Sequence, residues 1–250
     1  MGLFDLLSKE GRAKSALERA KKKVMNKHMQ SPDRFGAMEK LRDIGTEEAL
    51  YGLAKRFSYV YDKGIEDEQE KEWVESTLVA AGETAIPAVR RFMLESETVS
   101  YPLRILEKIA SKERLLAILD ELCAKEEPGY TRDPQRKIQF LTWLGEWKDA
   151  GTVDVSQRVV PYLADFDENV RFIAVDSLSH HKHESAREPL LDALLRPEEE
   201  SRRIKVRIAE VLAEAGWKVT DRKDQVAQLI GSTLPEFGMQ HDKLVKKREK

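Results

Sequence analysis

A single cysteine, Cys123, stands in 250 residues, so the chain has neither an intramolecular disulfide framework nor a paired-cysteine metal site. No apolar run approaches the ~18 residues that a membrane span requires. The opening segment, MGLFDLLSKEGR, has too short an apolar stretch and the wrong charge order for a secretory signal, which makes the cytoplasm the default expectation. Strand signals are nearly missing as well: apolar/polar alternation is scarce, and neither Asn-Gly nor Asp-Gly occurs. There is no Gly-rich phosphate loop, no GxSxG and no HExxH, and no Cys/His pair with an orienting third group. These gaps argue for a protein that is not an enzyme and needs no cofactor or metal.

What the sequence has in abundance is charge. Charged residues make up 35% of the chain yet nearly cancel, leaving a net −2. A generally basic nucleic-acid coat and a uniformly acidic disordered chain are both excluded by that balance. The distribution is uneven: residues 1–30 are basic, residues 241–250 are basic, and the body between them is acidic. Two different partners, or contact between the ends and the body, would suit such a pattern.

Apolar residues recur at helical spacing, as in Ala37–Leu41–Ile44 and Phe140–Leu144–Trp147. Several helices are expected to stop near Gly45, Gly82, Gly216 and Gly231. One leucine anchors each of a series of similar segments: Leu41, Leu78, Leu106, Leu144, Leu178 and Leu212, spaced 37, 28, 38, 34 and 34 residues apart. Seven residues before the anchor stands a cation in all but the third segment: Arg34, Lys71, Lys137, Arg171 and Lys205, with Val99 as the exception. Pro87, Pro161 and Pro189 hold matching early places in a second helix, where proline's missing N–H costs no hydrogen bond.

This pattern resembles HEAT repeats, in particular the short HEAT-like repeats named after phycobilisome lyases. The clearest segment runs from Asp167-Glu168-Asn169-Val170-Arg171 through Leu178 to Pro189-Leu190-Leu191. The resemblance implies an all-α, right-handed α-solenoid (a superhelix) of about six helix pairs, each unable to bury its apolar stripe alone. It also implies that Asp167 caps a first helix and that Arg171 supports a neighbouring pair. It extends over residues 31–231, with the register between 97 and 160 open. Residues 1–30 form a basic amphipathic helical segment and residues 232–250 a basic tail.

The N-terminal segment fits a cap on the first repeat, a docking element for a partner, or a helix lying on an anionic membrane surface. His180, His181 and His183 cluster at a polar turn; adjacent side chains diverge on a helix, so no metal site is expected there. Asp165, Asp167 and Glu168 read as capping acids, and Glu66–Glu68 and Glu198–Glu200 as solvated loops. Cys123 reads as a buried structural thiol. Trp147 shares its register with Ile44, Ala81 and Ala215 and belongs to the core. Trp143 shares its register with Lys40, Thr77 and Ser177, so it is either an exposed aromatic anchor for a partner or the filler of a local groove.

Lys55, Arg56, Arg90 and Arg91 form a candidate patch for an anionic partner. It does not extend into a groove that tracks a nucleic-acid backbone, because the place of Arg91 is taken by Asp165 and Ala193 in later segments. The expectation is therefore a scaffold or adaptor that binds another protein or peptide. The competing readings are a DNA-binding, glycosylase-like HEAT protein and a peripheral membrane adaptor.

Overall fold

The computed structural model describes residues 3–61, 64–148 and 155–247, with side-chain surroundings from residue 10 onward. The Met1-Gly2 start and the side chains of Leu3, Phe4, Leu6, Leu7 and Lys9 lie outside the described residues. Two compact units are present, Met1–Lys125 and Glu126–Lys250. The first holds α1 (Leu3–Val24), α2 (Ser31–Ile44), α3 (Glu47–Ala54), α4 (Gly64–Ala80), α5 (Ile86–Glu95), α6 (Ser100–Ile109) and α7 (Lys112–Lys125). The second holds α8 (Gln135–Glu146), α9 (Ser156–Val159), α10 (Glu168–His181), α11 (Arg187–Leu195), α12 (Arg202–Ala215), α13 (Lys223–Thr233) and a hairpin of β1 (Phe237–Gln240) and β2 (Lys243–Lys246).

Helical periodicity translates directly into layering. The anchors Leu41, Leu78, Leu106, Leu144, Leu178 and Leu212 lie on α2, α4, α6, α8, α10 and α12, and all are buried. In the first unit α2, α4 and α6 pack side by side, as do α3, α5 and α7; in the second, α8, α10 and α12 form one row. Alternate helices thus share a layer, which is how stacked pairs merge their apolar stripes into one core. Proline begins the second helices as expected at Pro87, whereas Pro161 lies in a 3-10 turn, Val160–Ala164.

Helix ends follow local chemistry. Asp167 caps α10 by accepting from the backbone N–H groups of Asn169 and Val170, and Ser201 caps α12 at Ile204. Gly45 and Gly216 close α2 and α12 with φ of 61° and 64°, the left-handed conformation that glycine adopts without steric cost. Gly231 is not a stop, because α13 continues to Thr233. Ala20 and Val24 bury the C-terminal half of α1 against α2 and α3, whereas residues 10–15 are exposed. The C-terminal segment departs from the expected tail. A two-residue turn at His241-Asp242, with φ of 50° and 61°, reverses the chain, and the hairpin covers α12 and α13 with Phe237 and Leu244 buried.

The repeated cations have a structural role that spacing alone did not reveal. Lys137 Nζ lies 2.8 Å from Asp165 Oδ2, and Arg171 Nε lies 2.7 Å from Glu199 Oε2; both pairs link residues 28 positions apart. Each acid also accepts from the backbone two residues on, at the Asp167 and Ser201 N–H groups. A cation on one first helix therefore fixes the loop that launches the next. Glu199 was expected in solvent and is instead buried. Burial works to raise its pKa, but the hydrogen bonds from Arg171 and the Ser201 N–H hold it below the usual carboxylate range.

Candidate docking surfaces

In the first unit the same device becomes a buried ionic cluster. Arg34 and Arg56, both fully buried, share the buried Glu70: Arg34 Nη2 is 2.9 Å from Oε1 and Arg56 Nε is 2.6 Å from Oε2. Arg56 also reaches Asp67 Oδ1 at 2.6 Å, and Lys71 takes Oδ2 at 2.6 Å. Tyr59 and Tyr61 lie against the guanidinium groups, with 4.4 Å from Arg56 to the Tyr59 ring and 4.3 Å from Arg34 to the Tyr61 ring. Burial works to raise Asp67 and Glu70, yet the donors around them hold both below their ordinary pKa. Asp67, read as part of a solvated acidic loop, turns inward, while Glu66 is half-buried and Glu68 exposed.

This arrangement removes Arg56 from the expected cationic patch: it is an interior group with two carboxylates of its own. Arg90 and Arg91 are neutralised in place. Arg91 pairs with Glu48 at 2.5 Å and Glu95 at 3.3 Å, and Arg90 pairs with Glu121. Lys55 and Arg91 both lie over the Tyr51 ring, at 4.8 and 4.0 Å. Tyr51 donates its hydroxyl proton to Glu95, and burial together with that carboxylate pushes its pKa up to about 12. Of the four expected cations three are paired with carboxylates and Lys55 alone rests on an aromatic face, so the attraction of this surface for an anion is weak.

Trp143 is buried and stacks on Trp147 with ring centroids 5.3 Å apart. Of the two possibilities for this residue, it is the groove filler, and the exposed-anchor reading is corrected. Helix α8 also runs close to α10: a Cβ on Gly145 would stand only 3.0 Å from Ser177 Cα. Exposed aromatics occur elsewhere in that unit. Tyr130 is 77% and Phe166 70% exposed, and their rings meet edge to face at 5.4 Å. Each follows a residue of the internal lattice: Gly129 N–H donates to Asp165 Oδ2 at 3.0 Å, and Lys137 donates to Gly129 O at 2.7 Å. Two loops are thereby clamped so that an apolar pair projects into water. The signal for this pair was faint, because nothing in loop composition distinguishes an outward Phe from an inward one.

A second apolar surface lies in the first unit. A cleft of about 460 Å³ is lined by Trp73, Leu50, Ala80 and Ala81, with Arg42 and Thr77 at its edge. Trp73 meets Phe35 edge to face at 5.9 Å, and Arg42 lies 5.7 Å from the indole ring. Of the clustered histidines, His181 Nε2 contacts Leu144 O at 2.7 Å, His183 caps the turn at Ser185, and His180 is exposed. Among the described residues no group of three His, Cys, Asp or Glu side chains converges as a metal site. Cys123 is half-buried, more open than expected. No helix among the described residues is long and apolar enough to cross a membrane. In comparisons of the sequence, no protein-family model matches the chain and no curated protein matches it significantly.

Proposed function

We propose that the helix pairs are HEAT-like repeats of a right-handed α-solenoid, and that the protein is a non-catalytic scaffold binding another protein or peptide. The exposed Tyr130–Phe166 pair carries this reading. Two large aromatic rings held in contact on rigid loops offer a partner apolar area that needs little further ordering. Tyrosine is moreover among the residues enriched at interface hot spots. Of the cations near the pair, Arg136, Lys137 and Arg171 are taken by Glu126, Asp165 and Glu199, which favours a contact led by apolar burial over one led by attraction to phosphate.

The test replaces both rings with serine. Tyr130→Ser/Phe166→Ser should melt as the parent does, because neither ring is buried. Recovery of the protein's partner from lysate of its source cells, quantified by cross-linking and mass spectrometry, should fall at least ~30-fold, the scale of losing one hot-spot residue. Undiminished recovery would remove the aromatic pair as the docking element. Fluorescence anisotropy with duplex DNA at ~150 mM salt, where non-specific contacts weaken, tests the competing reading. Tight, lesion-dependent binding would overturn the scaffold.

A further inference from the structure

Lys205 occupies the place on α12 that Lys137 and Arg171 occupy on α8 and α10, seven residues before the anchor leucine. Both of those cations are answered by a carboxylate, Asp165 and Glu199, from the loop that follows their own helix pair. At the corresponding place, 28 positions on, stands Thr233, the last residue of α13. Among the described residues Lys205 has no carboxylate partner. Instead it lines a groove of about 320 Å³ whose walls include Leu194, Leu195, Leu229, Gln225 and Gln228.

We propose that this groove is a docking site for an acidic peptide segment of a partner protein, which inserts a carboxylate beside Lys205. The two filled positions in the same unit define the chemistry of the occupant. Each holds an acid whose side chain takes the cation while a neighbouring backbone N–H folds back on that acid. Leu194, Leu195 and Leu229 accept an aliphatic neighbour of the carboxylate. Gln225 and Gln228, both exposed on α13, supply amide donors and acceptors for extended backbone. The inference rests on the scaffold reading and names the chemistry of one partner segment.

A peptide copying residues 163–169, acetylated and amidated, is the probe, because it carries the Asp165 arrangement and the protein's own equivalents are already filled. Titrated into the isotope-labelled full chain, it should produce saturable shifts in the NMR signals of Leu195, Leu229 and Lys205. Lys205→Met, a substitution at a half-buried position, should weaken binding by about ten-fold, and so should the peptide variant with Asp165→Asn. Tyr130→Ser/Phe166→Ser should bind the probe unchanged, which separates failure of this groove from failure of the aromatic pair. Absent shifts at millimolar peptide, or equal binding by Lys205→Met, would overturn the proposal. So would self-association of the parent that Lys205→Met abolishes, since a second copy would then be the occupant.

Discussion

Gly129 and Asp165 are hydrogen-bonded to each other at 3.0 Å, one residue before Tyr130 and Phe166 respectively. Lys137 bonds to both. An interior ion pair and an exterior aromatic pair are consequently parts of one construction. Disturbing the first should disorder the second even though no buried atom touches a partner.

Lys137→Met leaves Asp165 buried without its charge partner. Stability should fall by about 3–5 kcal/mol, the usual cost of breaking a buried pair from one side. Chemical denaturation measures the loss, and partner recovery should fall with it at temperatures where the fold is intact. A variant that keeps its partner undiminished would show that the aromatic loops hold their shape unaided.

Glu70→Gln removes the charge that Arg34 and Arg56 share, and a loss of about 3–5 kcal/mol is expected here too. The pH dependence supplies a second readout. The folded-state pKa values of Glu70, Asp67 and Glu199 lie below their unfolded ones. Their contribution is therefore complete above about pH 5 and is lost as pH falls through the folded values. The parent should lose stability steeply on acidification, and Glu70→Gln should show a shallower slope. Equal slopes would mean that Glu70 does not titrate as the cluster requires.

At Gly145 a methyl group would press on the Ser177 backbone at 3.0 Å and on His180 Nδ1 at 3.1 Å. Gly145→Ala should destabilise the α8–α10 contact by about 1–3 kcal/mol despite alanine's better helix propensity. A melting temperature equal to or above the parent's would show that the two helices can separate at little cost.

Helix α10 ends on Lys182 at φ 46°, a left-handed position that α2 and α12 give to glycine. Lys182→Gly should stabilise the chain by about 0.5–1 kcal/mol. The exposed Lys182–Glu214 pair that it sacrifices contributes little. Calorimetry showing a lower melting temperature would contradict this.

Removing residues 1–30 uncovers the surface beneath Ala20 and Val24 and deletes the carbonyl of Val24, which accepts from Tyr59 Oη at 2.6 Å. Stability should drop by several kcal/mol, the scale of losing multiple buried side chains. Unchanged melting combined with loss of sedimentation on anionic liposomes would make the segment a membrane tether.

Legibility in the sequence followed a simple physical line. Positions whose burial depends on apolar character were readable: the six leucines and Trp147 all lie in the interior. Positions whose burial depends on a partner were not. Arg56, Asp67 and Glu199 look solvated in isolation, because a charge enters the core only when a distant opposite charge meets it there. The five repeated cations were visible as a pattern, but the acids that answer four of them lie at less regular offsets. The hairpin escaped notice for a related reason. Its turn uses His241-Asp242 where Asn-Gly is the usual signature. Trp143 stayed open between anchor and filler, because its register companions Lys40, Thr77 and Ser177 are polar and only the stacking on Trp147 shows where the ring goes.

Stacked helix pairs have no intrinsic length, since the face that receives one neighbour generates another like it. The hairpin covers one such face. By laying Phe237 and Leu244 over α12 and α13, it replaces a surface that would nucleate growth with two short strands that no further helix pair resembles. A chain cut after residue 234 should keep its helices but bare that apolar face, and sedimentation should then show association that rises with concentration. Residues 237–246 thus act less as an appendage than as a lining for that face.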